Sequence, residues 1–418
     1  MSAVTVVILG AGQRGRDVYG RWIAAHPDLV TLIGVCDLDH LRTGRMAEIH
    51  GLGDGATWND ADEFFDRGRL ADALVIATPD RAHFEHARRA LELGYHVLLE
   101  KPMAATLSQT QQLVSLAKAS EGTLHIGHVL RHTAFFERLH EVVTEIGDIV
   151  DVHHRENVVA WHMAHSFVRG NWAREVDSTA MIVAKCVHDF DILTWNLPSP
   201  VERLVSYGSL LEFRPERAPA GSTERCLDCP IDDCPYDARP VYLDPGVVGW
   251  PVSVVADDLS PGGRTAALRH GPYGVCAYRA GSTVVDHQVV AMQLGNGATA
   301  SLTMHGHSDH EHRSMRYDGT RATVRGVFGR TPSIEIRRHR GGDVRTIAVE
   351  ARAGHGGGDE GILLAFAQSV AAGVPGRTSA AASLESHLLA FAAEESRLTG
   401  EVIDMATVRS TTNGDLGP

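Results

Sequence analysis

A run of β-branched and apolar residues, Val4 to Leu9, leads directly into Gly10-Ala11-Gly12-Gln13-Arg14-Gly15, and a helical pattern then continues to about residue 25. No other feature constrains the chain so strongly. Gly10 permits the tight turn, Gly12 lets the backbone approach a pyrophosphate, and Gly15 allows a helix to pack closely on a strand. The helix that follows offers unpaired N–H groups and the positive end of its dipole to phosphates. A second apolar run, residues 30–36, ends at Asp37, where a carboxylate can accept both hydroxyls of an adenosine ribose and repel a 2′-phosphate. This placement predicts NAD rather than NADP.

Strand and helix patterns alternate through the first 130 residues. Residues 73–77 read as a buried strand stopped by Thr78-Pro79-Asp80, and 83–93 as an amphipathic helix closed by Gly94. A buried run ending at Leu99 is followed by Glu100-Lys101-Pro102, which fixes a lysine where open parallel sheets place their ligands. Repeated βα units of this kind predict a doubly wound parallel sheet, so the fold class is α/β.

From about residue 149 the pattern changes to longer strands that alternate polar and apolar residues (149–160, 284–294, 298–305), with helices expected at about 178–196, 360–372 and 384–399. Such alternation predicts a large, open, mostly antiparallel sheet with one face not covered by its own helices. The domains expected are 1–131 for dinucleotide binding and 132–405, an α+β domain for substrate binding and oligomerisation. A Cys-rich insertion occupies about 215–278, and a flexible tail is expected at 406–418. The uncovered sheet face predicts a homodimer or homotetramer.

The formal net charge of −13 argues against nucleic acid or an anionic membrane as the main partner. No apolar run approaches the roughly 20 residues that span a bilayer. With no basic leader at its start, the chain is expected in the cytoplasm.

The glycine turn, Asp37, Ala77-Thr78-Pro79 with His83, and Glu100-Lys101-Pro102 together resemble the glucose–fructose oxidoreductase/inositol dehydrogenase (Gfo/Idh/MocA) family. The resemblance implies NAD(P)-dependent oxidation or reduction of sugars, cyclitols and related polyols. It implies cofactor contacts from Gly10, Gly12, Gln13, Arg14, Gly15, Asp37, Thr78, Pro79, His83, Glu100 and Lys101. It also implies Lys101 beside the nicotinamide and a histidine base at His188.

The stretch Ala184 to Asp191 places Lys185 and His188 three apart on one helical face, with Asp191 three further on. A histidine to take the hydroxyl proton, a lysine to polarise the oxygen and a carboxylate to steady the imidazole would suit the oxidation of a secondary alcohol. Most dehydrogenases of the family carry an aspartate where this chain has Ala184. Two alternatives therefore remain open: an NAD-dependent glycoside hydrolase working by transient oxidation, elimination and re-reduction, and a non-catalytic NAD-binding regulator or partner subunit.

Aromatic and polar groups concentrate between Trp161 and Trp172, which makes His162, His165, Arg169 and Trp172 the expected substrate contacts. Arg169 is also suited to hold an anionic substituent. His305, His307, His310 and His312 read as solvated or substrate-facing rather than as metal ligands. In the insertion, Cys226-x2-Cys229-x4-Cys234 with Cys276 predicts a structural zinc; reduced thiols and an iron–sulfur cluster are the alternatives. Cys36 and Cys186 read as core residues.

Overall fold

The computed structural model describes residues 3–414. Its first sheet has six strands in the order β3-β2-β1-β4-β5-β6. These are β1 (Val4–Leu9), β2 (Val30–Cys36), β3 (Thr57–Trp58), β4 (Ala73–Ile76), β5 (His96–Leu99) and β6 (Leu124–Ile126). All neighbouring pairs are parallel. The central strands are apolar because both faces are covered by helices: β4 is buried at every position, and β1 at all but Thr5. Strand order reverses between β1 and β4. The carboxyl ends of β1, β2, β4 and β5 therefore deliver Gly10, Asp37, Thr78 and Lys101 to one edge, where a doubly wound sheet opens a crevice.

The second sheet has nine strands in the order β14-β13-β12-β11-β7-β10-β9-β8-β15. They are β7 (Ile149–Val159), β8 (Val201–Ser209), β9 (His287–Leu294), β10 (Thr299–Ser308), β11 (His312–Gly319), β12 (Ala322–Gly329), β13 (Ser333–Arg338), β14 (Val344–Ala348) and β15 (Ile403–Asp404). Only β7 and β10 run parallel to each other; the remaining pairs are antiparallel. Burial alternates along β9, β10 and β11. The inner face, with Val290, Leu302 and Met304, joins a core shared with helices Val187–Asn196 and Ala380–Thr399.

The outer face carries mixed polarity. Tyr207, Val289 and Val327 lie along one cross-strand row, with Thr303, Arg155 and Ser314 between them. The neighbouring rows hold polar pairs such as Arg203 to Gln293 (2.7 Å) and His153 to Ser301 (2.8 Å).

Two expectations change. The helix expected over 178–196 is two pieces, Met181–Ala184 and Val187–Asn196, broken at Lys185 and Cys186. The tail expected to be flexible from 406 forms a helix, Met405–Gly414, whose start is anchored by buried Met405 and half-exposed Ile403 beside β8. Residues 415–418 lie outside the described residues. No helix among the described residues is long and apolar enough to cross a membrane.

Candidate active site

The edge of the first sheet and the inner rim of the second enclose a cleft of about 2900 Å³. On the first domain's side the glycine turn sets its shape. Gly10 has φ +94°, and a Cβ there would stand 2.5 Å from the Ala77 carbonyl oxygen. At Gly15 a Cβ would meet the Gly10 carbonyl oxygen at 1.9 Å, so this position admits only glycine. A Cβ at Gly12 would meet nothing within 4 Å. Gly12 thus guards space rather than packing, and it caps the helical segment Gln13–Gly20 as a pyrophosphate site requires. Asp37 faces the same space. One of its carboxylate oxygens accepts the Ala11 N–H at 2.6 Å and the other the Asp39 N–H at 2.9 Å. These residues fit a dinucleotide: an open approach at Gly12, a helix N-terminus, and a carboxylate at the end of β2.

Not every expected cofactor residue faces that space with a free polar group. Arg14 binds Glu100 at 2.5 Å, Asp359 at 2.8 Å and the Tyr19 hydroxyl at 2.8 Å, tying the glycine turn to β5 and to the second domain. Burial acts to raise the Glu100 carboxyl, but Arg14 and the Tyr19 hydroxyl outweigh it, so Glu100 stays below its ordinary value. Both ring nitrogens of His83 meet backbone oxygens, Pro102 at 2.7 Å and Thr78 at 2.8 Å. Glu100 and His83 therefore act as braces of the turns that carry Thr78, Pro79 and Lys101. The Thr78 hydroxyl pairs with His86 at 3.1 Å, and burial lowers the His86 imidazole to about 4.

Lys101 and His188 line the cleft from opposite domains. The Lys101 ammonium donates to the Ala184 carbonyl at 2.8 Å and lies 5.9 Å from the centre of the Trp172 ring. Burial pulls the Lys101 pKa down against the raising influence of Asp80 and Glu100. Burial, with Lys101 and His128 nearby, holds His188 well below the ordinary histidine value, so its imidazole is neutral. Among the described residues its Nδ1 is buried without a hydrogen-bond partner.

The helix around His188 corrects two expectations. Asp191 does not reach His188; it pairs with Arg131 at 2.7 Å. Burial raises Asp191 to about 6 even against that arginine. Lys185 lies at the break before the helix and is held by Glu156 at 3.0 Å and Glu311 at 3.1 Å. Those carboxylates overcome burial and raise its pKa, so Lys185 stays a cation and anchors Glu311 at the cleft. The carboxylate that fixes the helix is Asp189, bound to His154 at 2.7 Å and to Arg313 at 2.8 Å.

The aromatic stretch forms one wall. His162 pairs with Glu311 at 3.1 Å and meets the Trp250 ring edge-on at 5.0 Å. His165 bonds the Tyr242 hydroxyl at 2.8 Å and stacks on Tyr273, and burial lowers it to about 3. The Trp172 Nε1–H donates to Asp80 at 3.1 Å, and Ser178 donates to the same carboxylate at 2.6 Å. Arg169 does not offer itself to an anionic substituent. Its guanidinium is buried, donating to the Val275 and Tyr236 carbonyls, each at 2.7 Å.

Asp80, Glu311 and Trp250 are cleft residues that the sequence reading passed over. Glu311 sits inside the histidine-rich turn, where the histidines drew attention from the acid between them. Those histidines have protein partners: His305 with Asn157 at 2.9 Å, His307 with the Tyr236 hydroxyl at 3.3 Å, His310 with Asp309 at 2.7 Å and His312 with Asn157 at 3.2 Å. The zinc expectation is not supported, since among the described residues no group of three or more His, Cys, Asp or Glu side chains is arranged to hold a metal ion.

Comparison with known proteins agrees with this geometry. Residues 4–128 match the model of the Gfo/Idh/MocA oxidoreductase family's NAD-binding Rossmann fold, and residues 141–405 match that family's C-terminal alpha/beta domain. The oxidoreductase YteT of Bacillus subtilis is 24% identical over 66% of this chain and 63% of its own length. The D-glucoside 3-dehydrogenase of Escherichia coli is 31% identical over 35% of this chain and 42% of its own length. The chain thus spans less than two thirds of these relatives. An oxidoreductase from Agrobacterium radiobacter, solved with NAD+, L-tartaric acid and magnesium, shares the fold at a TM-score of 0.69 and 16% identity, over 97% of this chain and 99% of that one.

Proposed function

The chain belongs to the Gfo/Idh/MocA oxidoreductase family, and from that premise we propose that it is an NAD-dependent dehydrogenase of a secondary hydroxyl on a sugar, glycoside or polyol. The observation that carries this reading is the meeting of Lys101 and His188 at one cleft, below the glycine turn and beside an aromatic wall. When bound, the dinucleotide supplies a carbon that accepts or returns a hydride. All other parts of the reaction fall to the chain itself.

Asp37 holds the adenosine ribose, and the N–H groups at the start of the Gln13–Gly20 segment face the pyrophosphate. Trp161, Trp172 and Trp250 offer apolar faces to a sugar ring, while Glu311 accepts a hydroxyl proton at its rim. Lys101 donates to the oxygen of the reacting hydroxyl and makes it more acidic. His188, neutral in the folded protein, takes the proton. An imidazole with so low a pKa is a weak base, which makes the polarising cation necessary to the step. Ala184 places no acid here, and its carbonyl instead orients the Lys101 ammonium.

The test is a panel of sugars, glucosides and inositols incubated with NAD. The expected result is NADH formed in proportion to oxidised product. Free sugar released from a glycoside with no net NADH, and with solvent deuterium incorporated beside the oxidised carbon, would replace this reading with redox-cycling hydrolysis.

A further inference from the structure

The turn before helix Gly358–Ala372 holds a histidine that the proposed chemistry does not use. Gly354, His355, Gly356 and Gly357 follow one another with φ of +53°, +44°, +66° and +86°. Among the described residues His355 is the only non-glycine with a positive φ. A side chain is strained there, and glycine or asparagine would sit more easily. The turn cannot relax by sliding. A Cβ at Gly356 would stand 2.7 Å from the Phe328 ring, and one at Gly358 would stand 2.3 Å from the Val129 carbonyl oxygen. A tightly seated turn thus holds His355 in an unfavourable conformation, and its exposed imidazole lines the cleft.

The ring is aimed by a carboxylate. Its Nδ1 lies 3.0 Å from Asp359 Oδ2, so Nδ1 carries a proton, and Nε2 is left without a partner among the described residues. Asp359 is itself fixed. Its Oδ1 takes the Arg14 guanidinium at 2.8 Å, and Arg14 also holds Glu100, next to Lys101. Burial works to raise the Asp359 carboxyl, but His355 and Arg14 outweigh it and keep it below the ordinary range. The Val129 segment against which the turn packs follows His128, whose ring centre lies 5.6 Å from that of His188. Burial is the chief influence on His188 and on His162, and His355 is near enough to add to it at both. His355 is therefore within electrostatic reach of the reacting pair and of the aromatic wall.

We propose that His355 is a substrate-binding residue whose Nε2 bonds a second hydroxyl of the sugar or polyol, beside the one that Lys101 and His188 engage. The assignment rests on the proposed dehydrogenase chemistry. A hydroxyl both donates and accepts, so it pairs with Nε2 in either protonation state of the ring. The contact selects substrates that carry a hydroxyl on a carbon near the oxidised one. It also accounts for the strain, since glycine in that turn would present no group to the cleft.

The experiment combines kinetics with imidazole ¹⁵N NMR on the full-length protein saturated with NAD, using myo-inositol, methyl β-D-glucoside and D-glucose as probes. His355→Asn suits the left-handed backbone but reaches less far, so it should fold at least as stably as wild type and bind NAD equally. On the probe that yields NADH, it should raise KM by about tenfold and change kcat by less than about twofold. One monodeoxy analogue of that probe should show the same KM with both proteins. The His355 Nε2 resonance, identified by its absence from the variant, should shift when the probe is added to wild type. If His355→Asn fails to fold, His355→Gly serves the same comparison. NADH formed with an unmoved resonance or an unchanged KM would overturn the proposal and leave the dehydrogenase chemistry standing. Weaker NAD binding by the variant would overturn it too, by giving His355 a structural role through Asp359 and Arg14. A resonance that shifts while no NADH forms would support the contact and remove the dehydrogenase chemistry. Neither a shift nor NADH with any probe would overturn both.

Discussion

At the scale of single residues the cleft pairs groups whose environments push them in useful directions. Lys101 is a buried cation with a lowered pKa, and His188 is a buried neutral imidazole beside it. Because both act on the reacting hydroxyl, Lys101→Ala or His188→Ala should lower kcat by about two to four orders of magnitude. Cofactor affinity, read by titration of the unmodified dinucleotide, should change little. A double variant with full activity on an identified substrate would remove the proposed mechanism. Asp37 invites a separate test. Asp37→Ala should weaken NAD more than NADP, because the lost carboxylate both bonds the ribose and repels a 2′-phosphate. Equal weakening of the two would mean that Asp37 acts only through its bond to the Ala11 N–H.

At the scale of elements, short segments carry the site while longer ones hold them in place. The Glu100-Lys101-Pro102 turn is braced from three directions: Arg14 on Glu100, His83 on the Pro102 carbonyl, and His387 beyond it. His387, on helix Ala380–Thr399, accepts the Met103 N–H at its Nε2 (3.0 Å) and donates from Nδ1 to the Ser383 carbonyl (2.8 Å). That pairing requires a neutral ring, and burial with His128 nearby lowers its pKa to about 3. A folded value below the unfolded one, about 6.5, means the stabilisation is complete above pH 6.5 and is lost as pH falls toward 3. His387 alone should therefore contribute a slope of up to about 1.4 kcal/mol per pH unit within that window. Urea midpoints measured between pH 7 and pH 5 should fall, and His387→Gln should flatten the decline. The segment inserted after β8 makes a different contribution. Its Trp250 meets Trp161 at 5.1 Å and His162 at 5.0 Å. Trp250→Ala should raise KM severalfold with little change in kcat, since the ring binds ground state and transition state alike.

At the scale of the whole molecule, two sheets are joined through Arg14. Its ion pair with Asp359 links the glycine turn directly to helix Gly358–Ala372, so cofactor binding and the second domain share one anchor. The outer face of the nine-strand sheet leaves Tyr207, Val289 and Val327 exposed, and these apolar members are set among charged and hydroxyl groups. We expect that face to be covered by a second copy of the chain. Light scattering at micromolar concentration should return a dimer or tetramer, and Tyr207→Arg with Val289→Arg should shift it toward monomer. A wild-type monomer would exclude this mode of assembly.

Local chemistry made some features legible without tertiary information. The glycine turn demands what only glycine supplies at Gly10 and Gly15, and the change from continuous to alternating hydrophobic runs distinguishes a two-faced buried sheet from a one-faced one. Lys101 stood out as a lysine fixed at the end of a buried strand, whereas His188 was singled out by the resemblance to the family. Partnership was not legible. Helical spacing offered Asp191 to His188, yet Arg131, sixty residues earlier in the chain, takes that carboxylate while Asp189 is drawn to the inner face of the sheet. Arg169 looked free for substrate until the inserted segment folded back upon it, and Glu311 became a cleft residue only when β10 and β11 carried their turn to Lys185. A side chain's type and local backbone are written in its neighbours along the chain. Which opposite charge or carbonyl it meets is fixed by segments far away in sequence, because a buried charge binds whichever partner folding brings within about 3 Å.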